Sequence, residues 1–119
     1  MLRTTLRKVS NINMTSNSLH PKAVEGMKLF NEKKFFEAHE ELETAWRAEK
    51  DEIRNLYRGI LQVAVFYLHI TRGNYNGAVK VYYRSRLWLK DWADVCRGIL
   101  VDELRQNAEK VIKEVEREA

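Results

Sequence analysis

The stretch EIRNLYRGILQVAVFYLHITR, residues 52–72, decides the fold. Its apolar residues recur every three or four positions, and from Ile60 onward nearly all sides are apolar. We therefore predict a central helix that is buried on most sides. Gly73 ends it, because glycine accepts the left-handed backbone that commonly follows a helix. The predicted apolar face contains Ile53, Leu56, Tyr57, Ile60, Leu61, Ala64, Val65 and Leu68.

The segments on either side of this helix have the same periodicity. They predict helices at about 21–31, 34–48 and 75–92, and a last helix that begins near 102. Pro21 suits a first helical turn, and a looser stretch, 93–98, precedes the last helix. No segment shows the sustained alternation of a strand, so a sheet is not expected. The fold class is all-α, a compact bundle of about five helices.

Residues 29–38 and 69–78 form a loose internal repeat at an offset of forty residues. In both, a helix ends, a short polar turn follows, and an aromatic residue stands three positions before an alanine. Helix hairpins of the tetratricopeptide type share this pattern, because a small residue lets two antiparallel helices approach closely. Two hairpins are too few for a solenoid, so we expect a compact bundle with tetratricopeptide-like antiparallel hairpins.

The charge of the chain is unevenly distributed. The 119 residues carry 21 bases and 17 acids, a net charge of +4. Residues 1–18 hold three bases and no acid, which leaves 21 − 3 = 18 bases against 17 acids in the remainder. A folded basic face, which nucleic-acid binding requires, is therefore not indicated.

Residues 1–18 are predicted to be a disordered basic extension, and 19–119 a single all-α domain. The extension also shares its arginines and its lack of acids with organellar transit peptides, which is the alternative interpretation. No apolar run is long enough to cross a membrane, so no membrane partner is expected. The single cysteine, Cys96, fits a reducing compartment. We expect a cytoplasmic protein.

A polar cluster interrupts the second predicted helix. His39, Glu40 and Glu43 are neighbours on one helical wall, because residues one, three and four apart adjoin there. One hypothesis is a divalent metal ion held by His39 and Glu43, with Glu40 as the catalytic base that activates water. Around this site we expect Trp46, Arg54, Arg58, Gln62 and His69.

The second hypothesis for these residues is a buried polar network that fixes helix register. A hydrogen bond from Gln62 to Glu40 or Glu43 would satisfy a buried amide. Gln62 and His69 are two turns apart, about 10 Å, so they do not bind one ion together. For His69, a hydrogen-bonded core histidine is favoured over a metal ligand.

The order of these motifs resembles the domain of unknown function 309 family. The resemblance rests on FEAHEELE at 36–43 followed by Trp46, GILQ at 59–62, His69, RGN at 72–74 and GA at 77–78. It covers about 26–89 and leaves out the last helix and the basic extension. The resemblance implies a small all-α bundle. It also implies the label predicted metal-dependent hydrolase, which some members carry.

Three functions follow as hypotheses. The first is a metal-dependent hydrolase, or a binder of a metal or small ligand, that uses the His39 cluster. The second is a non-enzymatic binding module for a small molecule or peptide, with a groove lined by Tyr83, Trp88 and Trp92. The third is a self-associating bundle, a homo-oligomer in which the cluster is only structural.

Overall fold

The computed structural model describes residues 19–119, and the predicted extension at 1–18 lies outside them. In chain order the helices are α1 (Pro21–Asn31), α2 (Phe35–Ala48), α3 (Ile53–Thr71), α4 (Tyr75–Leu89) and α5 (Val101–Glu118). Consecutive helices pack against one another, so α3 is covered by α2 on one side and α4 on the other. The all-α fold and the central position of α3 are confirmed. Within 19–119, no helix combines the length and the hydropathy that a membrane span needs.

The buried face of α3 is wider than predicted and is rotated. Leu61, Val65 and Leu68 are only half-buried. Because two helices cover α3 from different sides, its buried arc extends to residues that the sequence prediction left out, Val63, Phe66, Tyr67 and Ile70. The core is one cluster that runs from Leu19 at the start of α1 to Val115 in α5.

The two turns of the internal repeat have the same backbone geometry. After α1, Lys33 adopts φ 64°, and its N–H donates to the carbonyl of Phe30 over 2.9 Å. After α3, Gly73 adopts φ 73° and donates to Ile70 over 3.0 Å. In each turn the next residue donates back to the fifth residue before it, at 2.9 and 2.8 Å. The chain therefore contains two equivalent helix hairpins, α1–α2 and α3–α4.

This equivalence predicts that Lys33→Gly stabilises the protein. A left-handed conformation costs a residue with a side chain about 1–2 kcal/mol, and the extra freedom of glycine in the unfolded chain offsets part of the gain. We expect the free energy of unfolding to rise by about 0.5–1 kcal/mol in urea denaturation. The matched control is Gly73→Ala, which should lower it by ~1 kcal/mol although nothing lies within 4 Å of the added Cβ. An unchanged or reduced stability of Lys33→Gly would contradict the argument.

The linker before α5 differs from the prediction. Residues Val95–Cys96 and Ile99–Leu100 form two short antiparallel strands, β1 and β2. The two residues between them, Arg97 and Gly98, have φ 50° and 85°, as a tight two-residue hairpin turn requires. The expectation of no sheet was therefore wrong in this place, because two-residue strands are too short to show alternation.

Candidate functional site

Two contacts fix how α2 and α3 lie side by side. The Arg58 guanidinium is 4.9 Å from the centre of the Trp46 ring, near the connection between the two helices. At the far end, the Arg72 guanidinium is 5.8 Å from the centre of the Phe36 ring. The helices are thus antiparallel, and the Phe36–Trp46 row of α2 faces the Arg58–Arg72 side of α3. The predicted site residues His39, Glu43 and Gln62 lie along this seam.

The three residues of the predicted metal site have different surroundings. Glu40 is exposed, and the Glu43 side chain is 40% exposed and pairs with Arg47 at 3.8 Å. His39 is half-buried, and its Nδ1 is shielded from solvent without a hydrogen-bond partner. In the part of the chain that the structure describes, no three His, Cys, Asp or Glu side chains are grouped to hold a metal ion. The roles of His39 and Glu43 as metal ligands and of Glu40 as the catalytic base therefore stay predictions.

The seam contains two more shielded polar atoms without partners, Trp46 Nε1 and Gln62 Oε1. Among residues 19–119 the Gln62 amide donates to neither Glu40 nor Glu43, and its Oε1 accepts no hydrogen bond. Each unpaired buried group costs about 1–3 kcal/mol. The cluster of His39, Trp46 and Gln62 is therefore polar and partly buried, and its members do not hydrogen-bond to one another as a structural network would.

His69 has a structural role at the α3–α4 turn. The Asn74 side chain uses its oxygen to accept from the Gly77 backbone N–H at 3.0 Å. Its amide nitrogen lies 3.2 Å from His69 Nδ1, and an amide NH₂ can only donate, so this ring nitrogen accepts. His69 thus holds the side chain that caps the first turn of α4, in agreement with a hydrogen-bonded histidine.

The contact of the α3 arginines with aromatic rings is the feature that sequence reasoning missed. Spacings of four, four, three, four and three residues place the members of an arginine-rich stripe on one face of α3: Arg54, Arg58, Gln62, Val65, His69 and Arg72. Phe66, which neighbours this stripe on α3, lies fully buried in the core. The α3 sequence contains no aspartate or glutamate. The lack of acids and the regular spacing were visible in the sequence. The aromatic residues that meet the arginines were not, because they belong to other helices.

Each arginine of the stripe stacks on an aromatic ring. Arg58 lies between two tryptophans, 4.9 Å from the Trp46 ring centre on α2 and 4.3 Å from the Trp88 ring centre on α4. Arg54 is 5.5 Å from the Trp46 ring centre, and its Nε donates to the Trp46 carbonyl over 3.3 Å. We call the α3 stripe, with its walls Phe36, Trp46 and Trp88, the arginine groove.

Within the described residues 19–119, these arginines have no acidic partner. No carboxylate among residues 19–119 lies within ion-pair distance of Arg54, Arg58 or Arg72. The acid on the facing wall, Glu43, is already paired with Arg47. Arg54 and Arg58 are half-buried, and partial burial strengthens their interaction with any anion that enters. The arginine groove is therefore a preorganised cationic surface.

The aromatic groove expected from Tyr83, Trp88 and Trp92 is not one surface. Tyr83 lines a cavity of about 430 Å³ between α4 and α5, together with Tyr82. Trp88 and Trp92 line a separate cavity of about 410 Å³. Burial raises the pKa of Tyr82, and a 2.9 Å hydrogen bond to Glu116 raises the pKa of Tyr83. Both hydroxyls therefore stay protonated at neutral pH.

Comparison with known proteins supports the resemblance seen in the sequence. The model of the family described as "Domain of unknown function (DUF309)" matches residues 23–81. An "Uncharacterized protein" of Aquifex aeolicus (strain VF5) is 33% identical over 79 residues, or 66% of this chain. The matched region is 24% of that relative, so the chain spans about a quarter of its length. No solved structure matches the chain significantly.

Proposed function

For a chain whose residues 23–81 belong to the DUF309 family, we propose a non-enzymatic binding module that captures anionic groups in the arginine groove. One observation carries the proposal. Three arginines on one face of α3 stack on aromatic rings, and none has a carboxylate partner among residues 19–119. A metal-dependent hydrolase has less support, because the His39 cluster lacks a third ligand in the described residues.

Stacking prepares an arginine for anion binding. The aromatic ring occupies a face of the planar guanidinium, while the N–H donors point outward from its edge. Those donors match the two oxygens of a carboxylate or a phosphate. Because Arg58 is already held between Trp46 and Trp88, little side-chain freedom is lost when the anion binds.

The proposal predicts that Arg58→Gln weakens anion binding at least about 10-fold, because one charge-assisted hydrogen bond contributes about 1.5–3 kcal/mol. The probes are glutarate, a dicarboxylate, and inorganic phosphate, each titrated at low salt. The readout is the NMR shift of the Trp46 and Trp88 indole N–H groups and of the Arg58 guanidinium. The matched control is Arg84→Gln, which removes the same charge from an exposed position of α4.

If both variants weaken anion binding equally, overall charge explains the effect, and a specific site is contradicted. No shift at Trp46, Trp88 or Arg58 with either probe would also contradict the proposal. Elemental analysis after incubation with Mn²⁺ and Zn²⁺ tests the competing hypothesis. Near-stoichiometric metal that is lost in both His39→Ala and Glu43→Ala would favour the hydrolase instead.

A further inference from the structure

We infer that the partner of the arginine groove is an extended acidic peptide, an inference that rests on the proposed function. The cationic groups lie at the two ends of the groove. Arg54 and Arg58 stack at the Trp46 end, and Arg72 stacks at the Phe36 end. Between them the stripe carries Gln62, Val65 and His69. A ligand that uses both ends must therefore be long and must carry two separated negative charges.

The distance between the ends sets the spacing of those charges. Phe36 and Trp46 are ten residues apart on α2, about 15 Å, and Arg58 and Arg72 are fourteen apart on α3, about 21 Å. An extended peptide advances about 3.3 Å per residue, so four to six residues span the groove. Side chains of an extended chain alternate sides, so two acids facing α3 are an even number of residues apart. The predicted motif has acids at positions i and i+4 or i and i+6.

The middle of the groove suits an apolar residue between the two acids. Val65 is half-buried on the stripe between Gln62 and His69. An apolar peptide side chain that faces α3 between the two acids would cover Val65. The Gln62 amide lies one helical turn from Arg58, and a peptide backbone N–H there would give its unpartnered oxygen a hydrogen bond. The groove thus offers positive charge at both ends, with Val65 as an apolar contact between them beside the polar side chains His39 and Glu43 of α2.

The charge pattern favours a peptide over a nucleic acid. A nucleic-acid strand carries a charge about every 3.4 Å of duplex axis, and a protein that binds it places cations along the whole backbone. Here the stripe is uncharged at Gln62 and Val65, and residues 19–119 hold only 18 bases against 17 acids. A partner with two separated acids fits this arrangement better than a continuous polyanion.

The test compares fluorescein-labelled octapeptides of equal composition. The matched peptides carry glutamates at i and i+4 or at i and i+6, with a leucine at i+2 that faces the same side as both acids, and the control peptide carries the two glutamates side by side. By fluorescence polarisation we expect at least one matched peptide to bind about tenfold tighter than the control. Arg58→Gln and Arg72→Gln should each remove most of that difference, whereas Arg84→Gln should preserve it.

The outcomes separate this inference from the proposed function. If glutarate binds at Arg58 but glutamate spacing and Arg72→Gln have no effect, the peptide inference is overturned and the anion site stands. If neither glutarate nor any peptide binds, both fail. A single-stranded oligonucleotide with the same label serves as a competitor. Tighter binding of the oligonucleotide than of every peptide, lost in Arg58→Gln, would assign the groove to nucleic acid.

Discussion

Replacing Arg105 with alanine should lower the free energy of unfolding by about 3 kcal/mol, which corresponds to roughly 15 °C in melting temperature. The Arg105 side chain is 22% exposed and connects α5 to the end of α4. Its Nη1 donates to the carbonyls of Leu89 and Trp92 over 2.6 and 2.9 Å. Its Nη2 lies 3.2 Å from Asp94 and 3.5 Å from Asp102.

The size of this effect comes from the hydrogen bonds to two carbonyls and the carboxylate contacts that alanine would remove. The last four carbonyls of a helix have no partner within the helix, and Arg105 supplies one to the end of α4. A donor that carries charge makes a stronger bond than a neutral one. Without it, the Trp92 carbonyl loses its bond to Arg105, the Leu89 carbonyl keeps only the 3.3 Å bond from the Trp92 N–H, and the segment 93–100 loses one of its attachments to α5.

Two further variants make the result interpretable. Arg105→Lys keeps the charge but cannot donate to two carbonyls and a carboxylate in one plane, so it should recover less than half of the loss. Arg84→Ala, which removes an exposed arginine, should change stability by less than about 0.5 kcal/mol. The measurement is urea denaturation followed by circular dichroism. If Arg105→Ala and Arg84→Ala destabilise equally, the capping role is wrong.

The order of the helices could be predicted because local signals mark their ends. Pro21 opens α1, and Gly73 stands where a left-handed residue is needed. The offset of forty between the two turns also follows from local sequence, and the matching φ values of Lys33 and Gly73 confirm it. Lys33 itself was harder to recognise, because a lysine does not signal a left-handed turn as a glycine does.

The candidate site could be predicted only in part, because its chemistry depends on contacts between helices. The polar residues of α2 and the arginines of α3 were visible as residue types at helical spacing. The register of α2 against α3 sets which of these side chains meet, and that register cannot be read from a single sequence. The importance of Arg58 for the site depends on its contacts with Trp46 on α2 and Trp88 on α4. The hairpin at Val95–Leu100 was missed because each strand has two residues.

Replacing Gly26 with valine should lower the free energy of unfolding by about 3 kcal/mol, because α1 and α2 pack closely at this residue. A Cβ at Gly26 would lie 2.7 Å from Leu42 Cγ, 3.1 Å from the Leu42 backbone nitrogen and 3.2 Å from the Ala38 carbonyl oxygen. Two of these three atoms belong to the α2 backbone, which moves only if the whole helix moves. Valine adds two methyl groups to the same space, and the helix interface must open to accept them.

Gly73→Ala separates this packing effect from glycine's backbone freedom. At Gly73 the added Cβ meets nothing within 4 Å, but the φ of 73° is unfavourable for alanine, so we expect a loss of only ~1 kcal/mol. Gly26 has an ordinary helical backbone and gains about 1 kcal/mol of helix propensity on substitution by alanine. Gly26→Ala should therefore lose less stability than Gly26→Val. The difference in the free energy of unfolding between the two variants measures how little space the α1–α2 interface leaves at residue 26. If valine and alanine at Gly26 are equally stable in urea denaturation, α1 and α2 do not depend on this glycine for their close packing.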